Sequence, residues 1–322
     1  MKKLTRETPL IAALVLAAFA SANQAQAVPA TSLVNTVSGL ALLNFDTATP
    51  GVVGAPVLIS GLTAGDSLVS LDYRPLDAVL IGFGYNSGTG TARVYSLSLT
   101  TGVASSINAN ILTLGVGLAR VTADFNPTPN AIRVVTSAAT SNNLRITTGG
   151  TGTLATDTDL NPINAGIRAT AYSRNTAGGG TSGATTLYEI DGTNNALVSQ
   201  GSVDFFTGSG TSPNTGSLTT VATLTGVAGS AIVGFDIFSA PGTAASSPGL
   251  AFVATGTAGT GTLFSLNLTT AAATSLGTIG GTYTSVVDVA TVPEPTSLAM
   301  LAFAVAGFAT RRFRSGRKVA VA

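Results

Sequence analysis

Apolar and polar residues alternate with period two through most of the chain. Val94-Tyr95-Ser96-Leu97-Ser98-Leu99 and Leu263-Phe264-Ser265-Leu266-Asn267-Leu268 are the clearest cases. That period places one face of an extended segment inside and the other outside, so these runs predict strands. Gly, Asn, Pro and Thr turns separate them, and no amphipathic stretch of helical period is long enough to compete. The body is therefore predicted to be all-β. Only Leu10 to Ala20 and Leu298 to Ala309, near the two termini, break the pattern with continuous apolar runs.

The strands recur as two kinds of unit. The first is a strand with an aromatic or leucine near its start, followed by a turn: Leu43 to Thr47, Val94 to Gly102, Leu187 to Gly192, Leu263 to Thr270 and, more weakly, Leu144 to Gly149. The second follows each first one and carries an aspartate, as in Leu71-Asp72-Tyr73-Arg74-Pro75, Ala123-Asp124-Phe125-Asn126-Pro127, Phe235-Asp236-Ile237-Phe238 and Val287-Asp288-Val289. Ala171-Tyr172-Ser173-Arg174 is a copy without the acid. Asp72 and Asp124 are 52 positions apart, as are Asp236 and Asp288. A fixed period means stacked supersecondary units, here five of about 50 residues. Four short antiparallel strands fill that length, and radial repetition protects their edges. The first expectation is a five-bladed β-propeller-like domain. A β-sandwich or irregular β-solenoid is the alternative, because the gap from Tyr188 to Phe264 is long. The Gly-, Ser- and Thr-rich stretch near Phe205 to Ser217 is expected to be a surface loop.

The two ends read as addresses. Lys2, Lys3 and Arg6 precede the first apolar run, and Ala25-Gln26-Ala27 follows it with small residues where a signal peptidase inspects the chain, which predicts cleavage after Ala27. At the other end, Pro293-Glu294-Pro295 holds the backbone extended. An uncharged stretch, Ser297 to Thr310, comes next, and then Arg311, Arg312, Arg314, Arg317 and Lys318. The apolar run predicts a helix marginal for one bilayer crossing, with the arginines on the cytoplasmic side. A simple tail anchor explains the run and the charges but not the Pro-Glu-Pro. Residues 1–27, 28–291 and 292–322 are thus expected to be signal peptide, β-repeat domain and sorting segment.

Triplet, span and basic cluster in that order resemble the PEP-CTERM sorting signal of exported Gram-negative proteins. The resemblance implies a membrane-held intermediate, processing near Pro293 to Pro295 by an exosortase, and release to the cell surface or extracellular polysaccharide. The repeats resemble a family of secreted bacterial domains of unknown function, number 4394, through strands of the Leu-Asp-Tyr-Arg-Pro and Val-Tyr-Ser-Leu type over roughly residues 41 to 290. That resemblance implies a propeller-like export module and assigns no chemistry.

Charge and composition narrow the chemistry. The net charge of +1 is set by the termini; from Val28 to Pro293 there are seven Arg, no Lys, eleven Asp and one Glu, a net −5. A lysine-free, acidic body cannot neutralise a run of phosphates, so nucleic acid is not an expected partner. Cysteine and histidine are both absent, which removes disulfides, thiolate sites, the commonest general base and the commonest nitrogen ligand. Neither a nucleophile elbow nor a phosphate-binding loop occurs.

Paired carboxylates are the catalytic option left. The recurrence of Asp72, Asp124, Asp236 and Asp288 favours repeated turn or strand-end hydrogen bonds over an acid/base pair. Asp157-Thr158-Asp159 and Asp191-Gly192 with Asn194 and Asn195 carry oxygen ligands but complete no calcium loop, so Asx turns are expected. Tyr73, Tyr95, Tyr172, Tyr188 and Phe264 are expected to pack in the core. No cofactor, metal or catalytic residue is assigned. The expected role is a non-catalytic structural or binding protein whose partners are signal peptidase and exosortase during export, then polysaccharide or surface proteins. The alternatives are an extracellular carbohydrate-active enzyme using two of the aspartates, and a membrane protein whose tail is never removed.

Overall fold

The alternating segments form strands because their inward residues are β-branched, aromatic or leucine and their turns carry residues that tolerate tight backbone. A computed structural model describes residues 27–292 except 75, 78, 109–110, 163–165, 175–184, 203–209, 240–248 and 257–258. The expected signal peptide apart from Ala27, the Pro-Glu-Pro, the expected C-terminal apolar helix and the basic cluster lie outside the described residues. No helix among the described residues is long and apolar enough to cross a membrane.

The strands group into five antiparallel sheets, each built around a path of four. Blade 1 contains β1 (Pro29–Thr36), β2 (Gly39–Asp46) and β3 (Val57–Leu58). Blade 2 contains β4 (Ser67–Arg74), β5 (Val79–Asn86), β6 (Thr91–Leu97) and β7 (Ala104–Ser106), with β8 (Leu112–Thr113) also on β6. Blade 3 is β9 (Val121–Asn126), β10 (Ala131–Thr136), β11 (Asn143–Ile146) and β12 (Leu154–Thr156), and blade 4 is β13 (Ile167–Tyr172), β14 (Leu187–Asp191), β15 (Ala196–Gln200) and β16 (Leu218–Thr223). Blade 5 is β17 (Ile232–Phe238), β18 (Leu250–Thr255), β19 (Thr262–Leu266) and β20 (Ala273–Thr278). The last strand, β21 (Ser285–Thr291), returns to blade 1 and pairs with β1 as its innermost strand. The innermost strands β21, β4, β9, β13 and β17 neighbour one another in a closed circle. This is a five-bladed β-propeller, as the repeats predict.

All five aspartate-type units occupy innermost strands. The other units fall on the third strand of blades 1, 2, 3 and 5, but Leu187 to Asp191 is the second strand of blade 4. Closure through β21 joins the two ends of the domain, and the Val292 amide donates to the Pro29 carbonyl at 2.7 Å. The chain therefore enters and leaves the ring at one blade. Turns press close where blades meet. Gly102, at φ +69°, lies between β6 and β7, and a Cβ there would stand 2.0 Å from the Leu58 carbonyl oxygen of blade 1.

Apolar side chains fill the spaces between blades. Phe252, Leu263 and Val289 pack between blades 5 and 1, Leu33, Leu71 and Tyr95 between 1 and 2, Phe83, Phe125 and Ile132 between 2 and 3, and Tyr188, Ile190 and Phe235 between 4 and 5. Those four clusters hold ten to fourteen buried residues each, whereas Val135, Leu160, Ile167, Ala196 and Val198 of blades 3 and 4 make a cluster of five. Polar side chains supply the rest of that junction.

Candidate functional site

The recurring aspartates sit within strands, not at turns, and each reaches across to the next blade. Asp288 on β21 accepts through Oδ2 from the Leu71 amide at 2.7 Å and the Ser70 hydroxyl at 2.8 Å of β4. Asp72 on β4 accepts through Oδ2 from the Phe125 amide of β9 at 2.7 Å, and Asp124 on β9 from the Tyr172 amide of β13 at 2.7 Å. Asp236 on β17 accepts from the amide and hydroxyl of Thr291 on β21. Asp72, Asp236 and Asp288 also hold the amide of the residue after them through Oδ1, at 2.6 to 2.8 Å. The acids thus fasten four of the five blade junctions. At the fifth, from blade 4 to blade 5, Ala171 stands in the acid's place and packs in the cluster of Phe235, Ile237 and Val253.

Three of these carboxyls converge. Oxygen atoms of Asp72, Asp124 and Asp236 lie within 4.8 Å of one another, the one group among the described residues spaced to share a metal ion. All are at most 4% exposed. Burial pushes Asp72 and Asp124 well above the usual carboxylate range, and the charge of Asp236 adds to it. Burial also raises Asp236 against its hydrogen bonds to Thr291 and Ile237. Asp72 and Asp124 also hydrogen-bond each other, which needs a proton held between the two carboxyls. Asp288 is pushed up to about 7 by burial, opposed by its bonds to Leu71, Ser70 and Val289.

The free space beside Asp72 and Asp124, walled by Ile81, Phe83, Phe125 and Ile132, is about 10 Å³, room for about one water. A glycosidase must bring both carboxyls against a sugar ring. The space beside this buried pair is too small for one.

The other sequence candidates separate. Asp191 makes the expected Asx turn, accepting from the amides of Thr193 and Asn194 at 2.9 Å. Asp157 does not. It accepts from Arg133 Nη1 at 2.7 Å and holds Arg145 through Nε at 3.1 Å and Nη2 at 3.0 Å. Burial raises the Asp157 carboxyl, but the two guanidiniums outweigh this and hold it below its ordinary value. Asp159 accepts from the Asn142 amide at 3.3 Å. Tyr73, Tyr95 and Tyr188 are core residues as expected, and Phe264 is partly buried against the core.

Tyr172 is buried too, yet it lines a cleft between blades 3 and 4 that sequence reasoning missed. The cleft, about 160 Å³, is formed by Asn126, Pro129, Ala131, Arg133, Arg145, Tyr172, Ser212, Pro213 and Asn214. Arg133 is 2% exposed and reaches three partners besides Asp157: Asn143 Oδ1 and Asn214 Oδ1, each at 2.6 Å, and the Tyr172 hydroxyl at 3.5 Å. Pro213–Thr215 forms a single 3₁₀ turn capped by the Ser212 side chain. The stretch expected to be plain surface loop therefore contributes, in its described part, a wall of this cleft.

Known proteins place the chain. A family model described as Domain of unknown function (DUF4394) matches residues 41–290, and a PEP-CTERM protein-sorting motif matches residues 291–314. Comparison with curated proteins returns no match. Among solved structures, a chain of a nidogen/laminin complex is 10% identical, with 83% of this chain and 98% of that chain covered and a TM-score of 0.44. The periplasmic gluconolactonase PpgL of Pseudomonas aeruginosa is 14% identical, covering 84% and 100% at a TM-score of 0.35. A protein from Lactobacillus plantarum is 14% identical, covering 79% and 67% at 0.32. The propeller assignment rests on the sheet order above.

Proposed function

As a member of the DUF4394 family with a PEP-CTERM sorting motif behind the domain, this chain is exported and sorted by an exosortase, and we propose that the mature propeller is a non-catalytic binding module at the cell surface or in the extracellular matrix. The observation that carries this reading is the state of the axial acids. Asp72, Asp124, Asp236 and Asp288 are the carboxyls left for acid/base work, yet all four are engaged in fastening blades, and the space beside Asp72 and Asp124 is only about 10 Å³. Binding then falls to the blade junctions and loops, where polar groups reach the surface. Polysaccharide is the preferred partner class, with surface proteins second.

The ends of the domain fit removal of both addresses. Ala27 and Val292 flank β1 and β21 of the same blade, so trimming beyond either leaves the ring of strands whole.

Two measurements test the reading. Mass spectrometry of the surface-localised form is expected to find no peptide beyond about Pro295; recovery of Arg311 to Lys318 in that form sinks the sorting part. The purified mature protein is expected to co-sediment with matrix polysaccharide of the producing cells and to release no reducing ends from it. Released reducing ends that disappear in Asp72→Asn or Asp236→Asn without a change in melting would make it an enzyme instead.

A further inference from the structure

The cleft between blades 3 and 4 is donor-rich, and the geometry points to a binding site for a carboxylated sugar, a uronic acid unit of an acidic polysaccharide. This rests on the reading of the domain as a binding module and names the ligand class.

The acceptors around the cleft are already engaged. Asn214 Oδ1 takes Arg133, Asn126 Oδ1 takes the Thr128 amide at 3.1 Å, and the Ser212 hydroxyl oxygen takes the Asn214 amide at 3.2 Å. The donors are not. Among the described residues, Arg145 Nη1, the Nδ2 amides of Asn126 and Asn214 and the Ser212 O–H have no protein acceptor. None of these four groups is a buried orphan, so each faces the cleft or solvent.

Charge points the same way. Two guanidiniums share one carboxylate, Asp157, which stands outside the lining. Glu189, the other acid near Arg133, is pushed up to about 8 by burial, so among the described residues the cleft carries a net positive charge in a body that is otherwise net acidic. An arginine with free N–H groups suits a planar carboxylate. A ligand that is all acceptor, such as phosphate, would leave the remaining walls unused: Pro129, Ala131, Pro213 and the Tyr172 ring are apolar and match the C–H face of a pyranose. A cleft of about 160 Å³ holds several waters, the scale of one sugar ring.

The test is calorimetric titration of the processed, surface-derived protein with sodium D-glucuronate, D-glucose and sodium phosphate at low ionic strength. Glucuronate is expected to saturate, with glucose and phosphate each weaker by about tenfold or more. Arg145→Gln removes the free donor and is expected to lower glucuronate affinity by at least about tenfold, the loss of one charge-assisted pair. Asn214→Asp keeps the acceptor for Arg133 but places a carboxylate in the cleft lining, and is expected to abolish binding with the melting midpoint retained. If Arg145→Gln fails to fold, Asn214→Asp decides alone.

Glucose binding as tightly as glucuronate, phosphate displacing glucuronate at equal concentration, undiminished binding by Asn214→Asp, or no saturation by about 100 mM glucuronate would each overturn the site. Proton NMR of methyl glucuronide over the titration separates the two proposals. Binding with cleavage defeats the non-catalytic reading and leaves the site. Absence of binding while whole matrix polysaccharide still co-sediments defeats the site and leaves the reading.

Discussion

Asp124→Asn is expected to fold with stability within about 1 kcal/mol of the parent at pH 7, whereas Asp124→Ala loses about 3 kcal/mol. The difference follows from the shared proton. Asp124 shares a proton with the buried Asp72 and also accepts from the Tyr172 amide. An asparagine reproduces both contacts, its oxygen facing Tyr172 and its NH₂ facing Asp72. Alanine removes both and strands a buried amide and a buried carboxylate, each costing about 1–3 kcal/mol. At about 2–4 °C per kcal/mol for a domain of this size, the alanine variant should melt about 10 °C lower. Thermal unfolding followed by circular dichroism measures both. Equal damage from Asn and Ala would show that Asp124 must be ionised, and the shared-proton account would then fail.

The five innermost strands were legible because each carries an aromatic or β-branched alternation, and four carry an aspartate at one fixed place. Their role was not. A period shows that Asp72, Asp124, Asp236 and Asp288 are equivalent in the repeat, but it does not name the partner, which is an amide on the neighbouring blade 53 positions on for Asp72 and 217 positions back for Asp288. Leu187 to Asp191 misled for a local reason. Its Asx turn at Asp191-Gly192 imitates the turns that end third strands elsewhere, although it follows a second strand.

The cleft was invisible because its polar groups come from distant places. Arg133 meets Asp157 across 24 positions and Asn214 across 81. One signal was available. In a body with seven arginines and no lysine, an arginine set inside an apolar strand such as Ala131-Ile132-Arg133-Val134-Val135 is costly to bury and demands a partner.

Stability is expected to fall as pH rises from about 5 to 8, the reverse of ordinary acid sensitivity, with the melting midpoint dropping by about 10 °C or more. Burial pushes Glu189 from 4.5 up to about 8 and Asp288 from 3.8 up to about 7, and it raises Asp72, Asp124 and Asp236 in the same direction. In each case the folded state holds the proton more tightly than the unfolded chain. The stabilisation is therefore complete below the unfolded value, near pH 4, and is lost as pH climbs through the folded value, at about 1.4 kcal/mol per unit for each group.

Asp77, held down by its bond to Arg74, and Asp157, held down by Arg145 and Arg133 against its burial, have the opposite sign. Their contribution is lost below about pH 4. The two sets together put the maximum near pH 5. Glu189 isolates the first set, since it is fully buried on β14 and, among the described residues, neither of its carboxyl oxygens has a hydrogen-bond partner. The nearby Arg133 charge opposes its burial without overcoming it. Glu189→Gln is accordingly expected to leave the pH 5 midpoint nearly unchanged and to raise the pH 8 midpoint, flattening the profile. A wild-type profile flat from pH 5 to 8, or a glutamine variant equally destabilised at both ends, would mean that these carboxyls are ionised inside the fold and compensated by charge.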